Sequence, residues 1–224
     1  MRVTRRWTVI SVATLAIALA LPSIPASAAP DGDRYALGDS VMLGAKSNLK
    51  ARGFSIVDAA VSRQAYSGPA LLRKRGESLP KDVVIHLGTN GTFPLDVCKK
   101  IVKAAGKERR VFLVTVHVKR SWTKGNNAVI RDCAASFRAG RVTVVDWDWA
   151  ASRHPEWLYS DGAHLNPAGA KAFARIISQA IERADAAAVA PAPGTVPAST
   201  QSGSAGSVGS PLMGASGTAH ITVR

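Results

Sequence analysis

The sequence predicts an α/β protein built as three layers, helices covering both faces of a parallel sheet of about five strands. Three observations predict it. Short runs rich in β-branched residues recur at Tyr35 to Leu37, Phe54 to Asp58, Val83 to Leu87, Val111 to Val116 and Val142 to Val145, each bounded by turn-forming residues. Stretches with apolar residues at helical spacing lie between them, and strand and helix in strict alternation is the signature of parallel pairing with crossover helices. Finally, 224 residues that are 46% hydrophobic and 20% charged can bury one proper core with some chain to spare. That composition excludes collagen-like, coiled-coil and multi-span membrane chains.

The chain opens with Arg2, Arg5 and Arg6 ahead of an apolar run from Trp7 to Leu21, followed by Pro22, Pro25 and the small residues Ala26, Ser27 and Ala28. This is the layout of a secretory signal peptide over residues 1–28, with cleavage expected just after Ala28 or Ala29. The alternative is an uncleaved anchor, but an apolar run of about 15 residues is short of the roughly 20 needed to span a bilayer. No cysteine follows the run, which argues against a lipid-anchored form. The fold is expected over residues 30–185. Its first helix begins near Val41 and ends at Gly53. The last is the clearest, with Asn166 as cap, Pro167 in the first turn, and Phe173, Ile176, Ile177, Ala180, Ile181 and Ala184 recurring at helical spacing. Residues 186–224 are almost wholly Ala, Pro, Gly, Ser and Thr with a single charge, Arg224, and are expected to be a disordered tail.

The chain carries 29 basic and 15 acidic residues, a net charge of +14. So basic a chain first suggests a nucleic-acid binder. Setting aside the three leader arginines and Arg224 leaves 25 basic against 15 acidic residues over 30–185. These are scattered over helices and loops, with no zinc-finger or single-strand-binding pattern, so no nucleic-acid partner is expected. An exported protein of this charge is expected to meet anionic cell-wall polymers instead. Cys98 and Cys133 are the only cysteines. In an oxidising compartment they are expected to close a loop of about 35 residues, worth roughly 3 to 4 kcal/mol in chain entropy. Two buried free thiols are the alternative. Neither has a Cys or His at ligand spacing, so no metal site is expected.

In a parallel α/β sheet the functional loops follow the carboxyl ends of the strands. After the first strand stands Gly38-Asp39-Ser40-Val41, which puts Ser40 at a helix start; alone, this is more often simply an N-cap. After the third stands Leu87-Gly88-Thr89-Asn90-Gly91, where Asn90 can aim an amide into the cleft or simply form a turn. Before the last helix stands Asp161-Gly162-Ala163-His164, a carboxylate three residues from an imidazole. Such a carboxylate can bond Nδ1 and leave Nε2 free to take a proton from a serine. A nucleophile, an amide donor and an Asp–His pair together make a complete acyl-transfer set.

With these motifs the sequence resembles the SGNH (GDSL-like) hydrolase superfamily over nearly all of residues 33–183, through GDSV at 38–41, HLGTNG at 86–91 and DGAHLNPAG at 161–169. VDAAVSRQ at 57–64, HVKRSW at 117–122 followed by Asn126 and Asn127, and HPEWLYSDGAHLNPAG at 154–169 are similar to the extracytoplasmic domain of peptidoglycan O-acetyltransferases. The resemblance implies a flavodoxin-like SGNH fold, Ser40 as nucleophile, His164 as base, Asp161 as its orienter, and an oxyanion hole from Ser40, Asn90 and a second-block amide. That block normally supplies glycine, and here the matching residue is Ser62. Trp122 and Asn127 become candidate substrate contacts. Trp147, Trp149 and Trp157 can stack on sugars or lie buried beneath the cleft.

The implied activity is that of a secreted serine esterase or O-acyltransferase, cleaving or transferring short acyl esters on cell-wall carbohydrate through an acyl-serine and needing no cofactor. The implied substrate is an acylated sugar or other small ester. A separate membrane protein is the expected acyl donor if the reaction is transfer. A small-ester or lipid esterase, and a catalytically idle wall-binding module, are the alternatives.

Overall fold

The computed structural model describes residues 34–189. The expected leader and nearly all of the expected tail lie outside the described residues. Five strands, β1 (Arg34–Gly38), β2 (Phe54–Ala59), β3 (Asp82–His86), β4 (Arg110–Val114) and β5 (Val142–Val145), form one parallel sheet in the order β2-β1-β3-β4-β5. Their boundaries fall within two residues of those expected, because runs such as Val-Val-Ile and Val-Phe-Leu-Val are buried on both faces and carry their own strand signal.

Alternate strand residues face opposite ways and build two cores. Ala36, Val84, Phe112, Val114 and Val145 pack against Val41 and Met42 of α1 (Ser40–Gly44), Leu49 of α2 (Lys46–Lys50), Trp147 of α6 (Trp147–Arg153) and Phe173, Ile177 and Ile181 of α7 (Pro167–Val189). Tyr35, Leu37, Val83, Ile85, Val111 and Leu113 pack on the other face against α3 (Gly68–Arg75), α4 (Leu95–Ala104) and α5 (Thr123–Ala135). This is the three-layer arrangement the sequence predicts.

Three local details differ from expectation or sharpen it. The helix expected from Val41 to Gly53 is two short ones, broken at Ala45, whose φ of −95° and ψ of 4° are not helical. Helix α7 continues through Ala186–Val189, four residues into the segment expected as tail, because alanine sustains a helix even without packing. Cys98 of α4 and Cys133 of α5 form a disulfide between two helices of the same layer, both sulfurs fully buried. Arg110 ties the lower edge of the sheet to α7 by ion pairs to Asp82 at 2.7 Å and to Asp185 at 2.7 Å. Among the described residues no helix is long and apolar enough to cross a membrane.

Candidate active site

Strand β1 ends on Gly38, where an added Cβ would come within 2.5 Å of the Met42 side chain; only glycine lets the chain turn so closely into α1. The cap of α1 is Asp39, whose carboxylate accepts the Val41 N–H at 3.1 Å. Ser40, the alternative cap, is thereby left with its hydroxyl uncommitted to the helix. Its Oγ lies 3.0 Å from Nε2 of His164, and Nδ1 of the same ring lies 2.6 Å from Oδ2 of Asp161. Three residues separated by up to 124 positions thus form one hydrogen-bonded line at the carboxyl edge of the sheet.

The Asp161 carboxylate also accepts the N–H groups of Ala163 at 2.9 Å and His164 at 3.0 Å, made possible by the left-handed turn at Gly162, φ 68°. The hydrogen bond from the His164 ring, with these two N–H groups, holds the carboxyl at about 2. Asp161 therefore stays a carboxylate and keeps the imidazole in one orientation, with Nε2 toward the serine. Both side chains are about half exposed, so the line opens directly to solvent. Asn166 then caps α7, its Oδ1 accepting the Gly169 N–H at 3.0 Å.

Asn90 sits on the loop after β3 between Gly88 (φ 112°) and Gly91 (φ 135°), and its Nδ2 reaches the Arg63 carbonyl at 3.4 Å. That contact joins it to the segment holding Ser62. Ser62 is exposed and has a φ of 57°, the one positive value at a non-glycine among the described residues. The position does what glycine does elsewhere, at a cost of about 1–2 kcal/mol for a residue with a Cβ. Arg63 clamps this turn, pairing with the Asp58 carboxylate at 2.8 Å and donating to the carbonyls of Gly38 and Asp58.

The two sequence-level candidates for substrate contact fare differently. Asn127 is buried, and its amide is committed: it exchanges both hydrogen bonds with the Val116 backbone at 2.9 Å and donates to Asp148 at 3.0 Å. It is a fastener of the loop after β4 and not a free contact, because a side chain spent on backbone has no donor left for a ligand. Trp122 is partly buried with its indole N–H covered. Of the other tryptophans, Trp147 is fully buried, Trp157 is partly buried and Trp149 is exposed.

The partners of three supporting groups could not be read from the sequence, although His86 and His117 are expected to be packed or hydrogen-bonded at strand ends and Asn126 belongs to a motif. Asn126 donates to the carbonyls of Gly88 and Gly91 at 2.8 Å each and accepts the Phe93 N–H at 2.8 Å, so it braces the loop that carries Asn90. Asp39 and His86 form a wholly buried pair at 3.2 Å behind the serine. Burial pushes the Asp39 carboxyl up, but the adjacent His86 and the Val41 amide outweigh it and hold it below its ordinary range. His117 and Asp148 make a second imidazole–carboxylate contact, at 2.6 Å, after β4. The sequence marks Asn126 and His117 only as parts of a motif and Asp39 only as a neighbour of Ser40; their partners come from distant loops, strands and helices.

No protein-family profile matches the chain. Curated relatives do: YrhL of Bacillus subtilis is 36% identical over 151 residues, covering 66% of this chain and 23% of that protein. The O-acetyltransferase OatA of Staphylococcus aureus is 31% identical over 150 residues, covering 65% and 24%. The peptidoglycan O-acetyltransferase OatA of Listeria monocytogenes is 32% identical over 151 residues, covering 66% and 24%. The chain therefore spans about a quarter of the length of these relatives. Among solved structures, the C-terminal catalytic domain of the Streptococcus pneumoniae peptidoglycan O-acetyltransferase OatA aligns with a TM-score of 0.61 at 29% identity, over 69% of this chain and 96% of that one. A family 3 carbohydrate esterase of Clostridium thermocellum shares the fold, with a TM-score of 0.55 at 16% identity.

Proposed function

We propose that this chain, a homologue of the peptidoglycan O-acetyltransferases with the SGNH hydrolase fold, is an extracytoplasmic serine enzyme that moves acetyl or other short acyl esters on cell-wall carbohydrate. The observation that carries the reading is the line Asp161–His164–Ser40, with its contacts of 2.6 and 3.0 Å.

Ser40 Oγ attacks the ester carbonyl carbon while His164 Nε2 takes its proton. The imidazolium that forms is held by Asp161 through Nδ1. The oxyanion is received by the amides of Ser40 and Ser62 and by Asn90 Nδ2, donors directed at the charge that develops there. His164 then returns the proton to the leaving alcohol as the C–O bond breaks, which leaves an acyl-serine. A sugar hydroxyl or water, deprotonated by the same imidazole, attacks that ester and regenerates Ser40. Acceptance by a sugar makes the protein a transferase, fed by a separate membrane acyl donor; acceptance by water makes it an esterase. The basic leader-plus-domain sequence suits secretion and residence at an anionic wall.

The test uses the full chain without its leader. It is expected to hydrolyse a small aryl acetate and to lose that activity in Ser40→Ala, with Asn90→Ala falling by about 10²–10³. Incubation with a chito-oligosaccharide and mass spectrometry then separates transfer from hydrolysis. Absence of Ser40-dependent turnover at neutral pH refutes the enzyme and leaves a wall-binding module.

A further inference from the structure

Among the described residues β5 has no strand on its outer side, and a groove of about 460 Å³ runs between that edge and α7. Its walls include Trp149, His154, Trp157, Arg175, Gln179 and Arg183. Trp149 is 58% exposed, with the Arg153 guanidinium 4.2 Å above its ring. Trp157 is held flat between Trp147, at 6.0 Å between centroids, and His154, at 3.9 Å. Arg175, Gln179 and Arg183 succeed one another at four-residue spacing and so project from one face of α7.

The charge of the groove is one-sided. Asp146, its carboxylate, is engaged by Arg131 at 2.7 Å, Thr115 at 3.0 Å and the Trp149 N–H at 3.2 Å. Glu156, beside the rim, pairs with His154 at 2.8 Å. Neither Arg175 nor Arg183 has an acidic partner among the described residues. Exposed planar rings beside free guanidinium forks are suited to a ligand that has both a stackable apolar face and a carboxylate.

The groove is also joined to the catalytic loop. The Trp157 carbonyl accepts the Asn166 N–H at 3.0 Å, Asn166 Nδ2 donates to the Glu156 carbonyl at 2.7 Å, and the His164 carbonyl accepts the Tyr159 N–H at 2.8 Å. Trp149 follows the carboxyl end of β5, the same edge of the sheet as Ser40. Three strand steps, roughly 14 Å, separate β5 from β1. Helix α7 starts beside the catalytic loop and ends near Asp185 at the opposite edge of the sheet, so Arg175 and Arg183 continue the groove away from that edge and an extended polymer joins them to Ser40.

We propose that this groove is a subsite for a carboxylate-bearing stretch of wall glycan, Trp149 stacking on a sugar face and Arg175 and Arg183, about 12 Å apart along α7, receiving successive carboxylates. It holds the polymer while the ester-bearing unit lies at Ser40. The inference rests on the carbohydrate reading of the site, and it is tested without catalysis.

In the Ser40→Ala full chain, binding of a muramic-acid-containing glycan fragment is compared by calorimetry with that of a neutral chito-oligosaccharide of equal length. The carboxylated fragment is expected to bind about tenfold more tightly, and the preference to shrink in high salt. Adding Arg175→Gln and Arg183→Gln should erase the preference, whereas Trp149→Ala should weaken both ligands several-fold. All three side chains are exposed, so the variants are expected to keep the parent's thermal midpoint. Equal affinity for the two glycans overturns the proposal, as does a preference that survives the arginine changes. Failure of the enzyme reading is a separate result, the absence of Ser40-dependent aryl acetate turnover in the parent chain.

Discussion

Replacing Gly169 by alanine tests how the catalytic loop is held. Helix propensity alone favours the change by up to about 1 kcal/mol. The structure opposes it: an added Cβ would overlap the Trp157 carbonyl oxygen and stand 2.9 Å from its carbonyl carbon and 3.1 Å from its Cβ. These are backbone and near-backbone atoms and cannot swing aside. Either the first turn of α7 or the segment carrying Trp157 must move, an overpacking cost of about 1–3 kcal/mol. The Trp157 carbonyl also accepts the Asn166 N–H at 3.0 Å, and losing that bond adds about 1 kcal/mol. The net expectation is a loss of about 1–3 kcal/mol, or a midpoint lower by roughly 3–10 °C for a domain of this size. Activity should fall further than stability. The displaced segment bonds to His164 through Tyr159 and bridges Leu165 through Leu158, and a shift of about 1 Å in a reacting group can cost about 10²-fold. The assay is thermal unfolding by circular dichroism together with aryl acetate hydrolysis, with Ala168→Gly, at an exposed neighbouring position, as the propensity control. A Gly169→Ala protein as stable and active as the parent would refute the reasoning.

Three other outcomes are expected. Ser62→Gly relieves the positive φ and should raise stability by about 0.5–1 kcal/mol with aryl acetate turnover retained, while Ser62→Val should lose both; a destabilised Ser62→Gly in a melting experiment contradicts this. Replacing both Cys98 and Cys133 by alanine reopens a loop of sequence separation 35 and should cost up to about 4 kcal/mol in urea unfolding, a cost that a reducing agent reproduces in the parent but not in the variant. Asp161 is held at about 2 against an ordinary 3.8, so its contribution to stability is whole above pH 4 and is lost as pH falls toward 2; half exposure keeps that contribution small. A carbon-13 titration of the Asp161 carboxyl with a midpoint at or above 3.8 would contradict the geometry, and Asp161→Asn should lower kcat by up to about 10⁴.

Much of this protein was legible before its structure. Strands buried on both faces announce themselves as short β-branched runs, and parallel order follows from their alternation with helices. The positions of Ser40, Asn90 and the Asp161–His164 pair follow from the same logic, since loops at the carboxyl ends of parallel strands converge. Asp161 and His164 lie three residues apart, so their contact is a local matter that sequence spacing can express. The helix break at Ala45 and the extra turn of α7 to Val189 were not legible, because propensity marks element ends only weakly.

What only the tertiary structure decided are the pairings between distant segments. Asn126 and Asn127 are adjacent and chemically identical, yet one braces the Asn90 loop and the other the backbone after β4, and nothing in their spacing distinguishes them from ligand contacts. The burial of His86 against Asp39, the clamp of Arg63 on the Ser62 turn and the meeting of Trp149 with Arg175 and Arg183 in the groove at the outer edge of β5 likewise depend on strand order. A chain's own periodicity reports how each segment meets the core on average. Which side chain meets which is settled only when the order β2-β1-β3-β4-β5 brings residues tens of positions apart within hydrogen-bond reach.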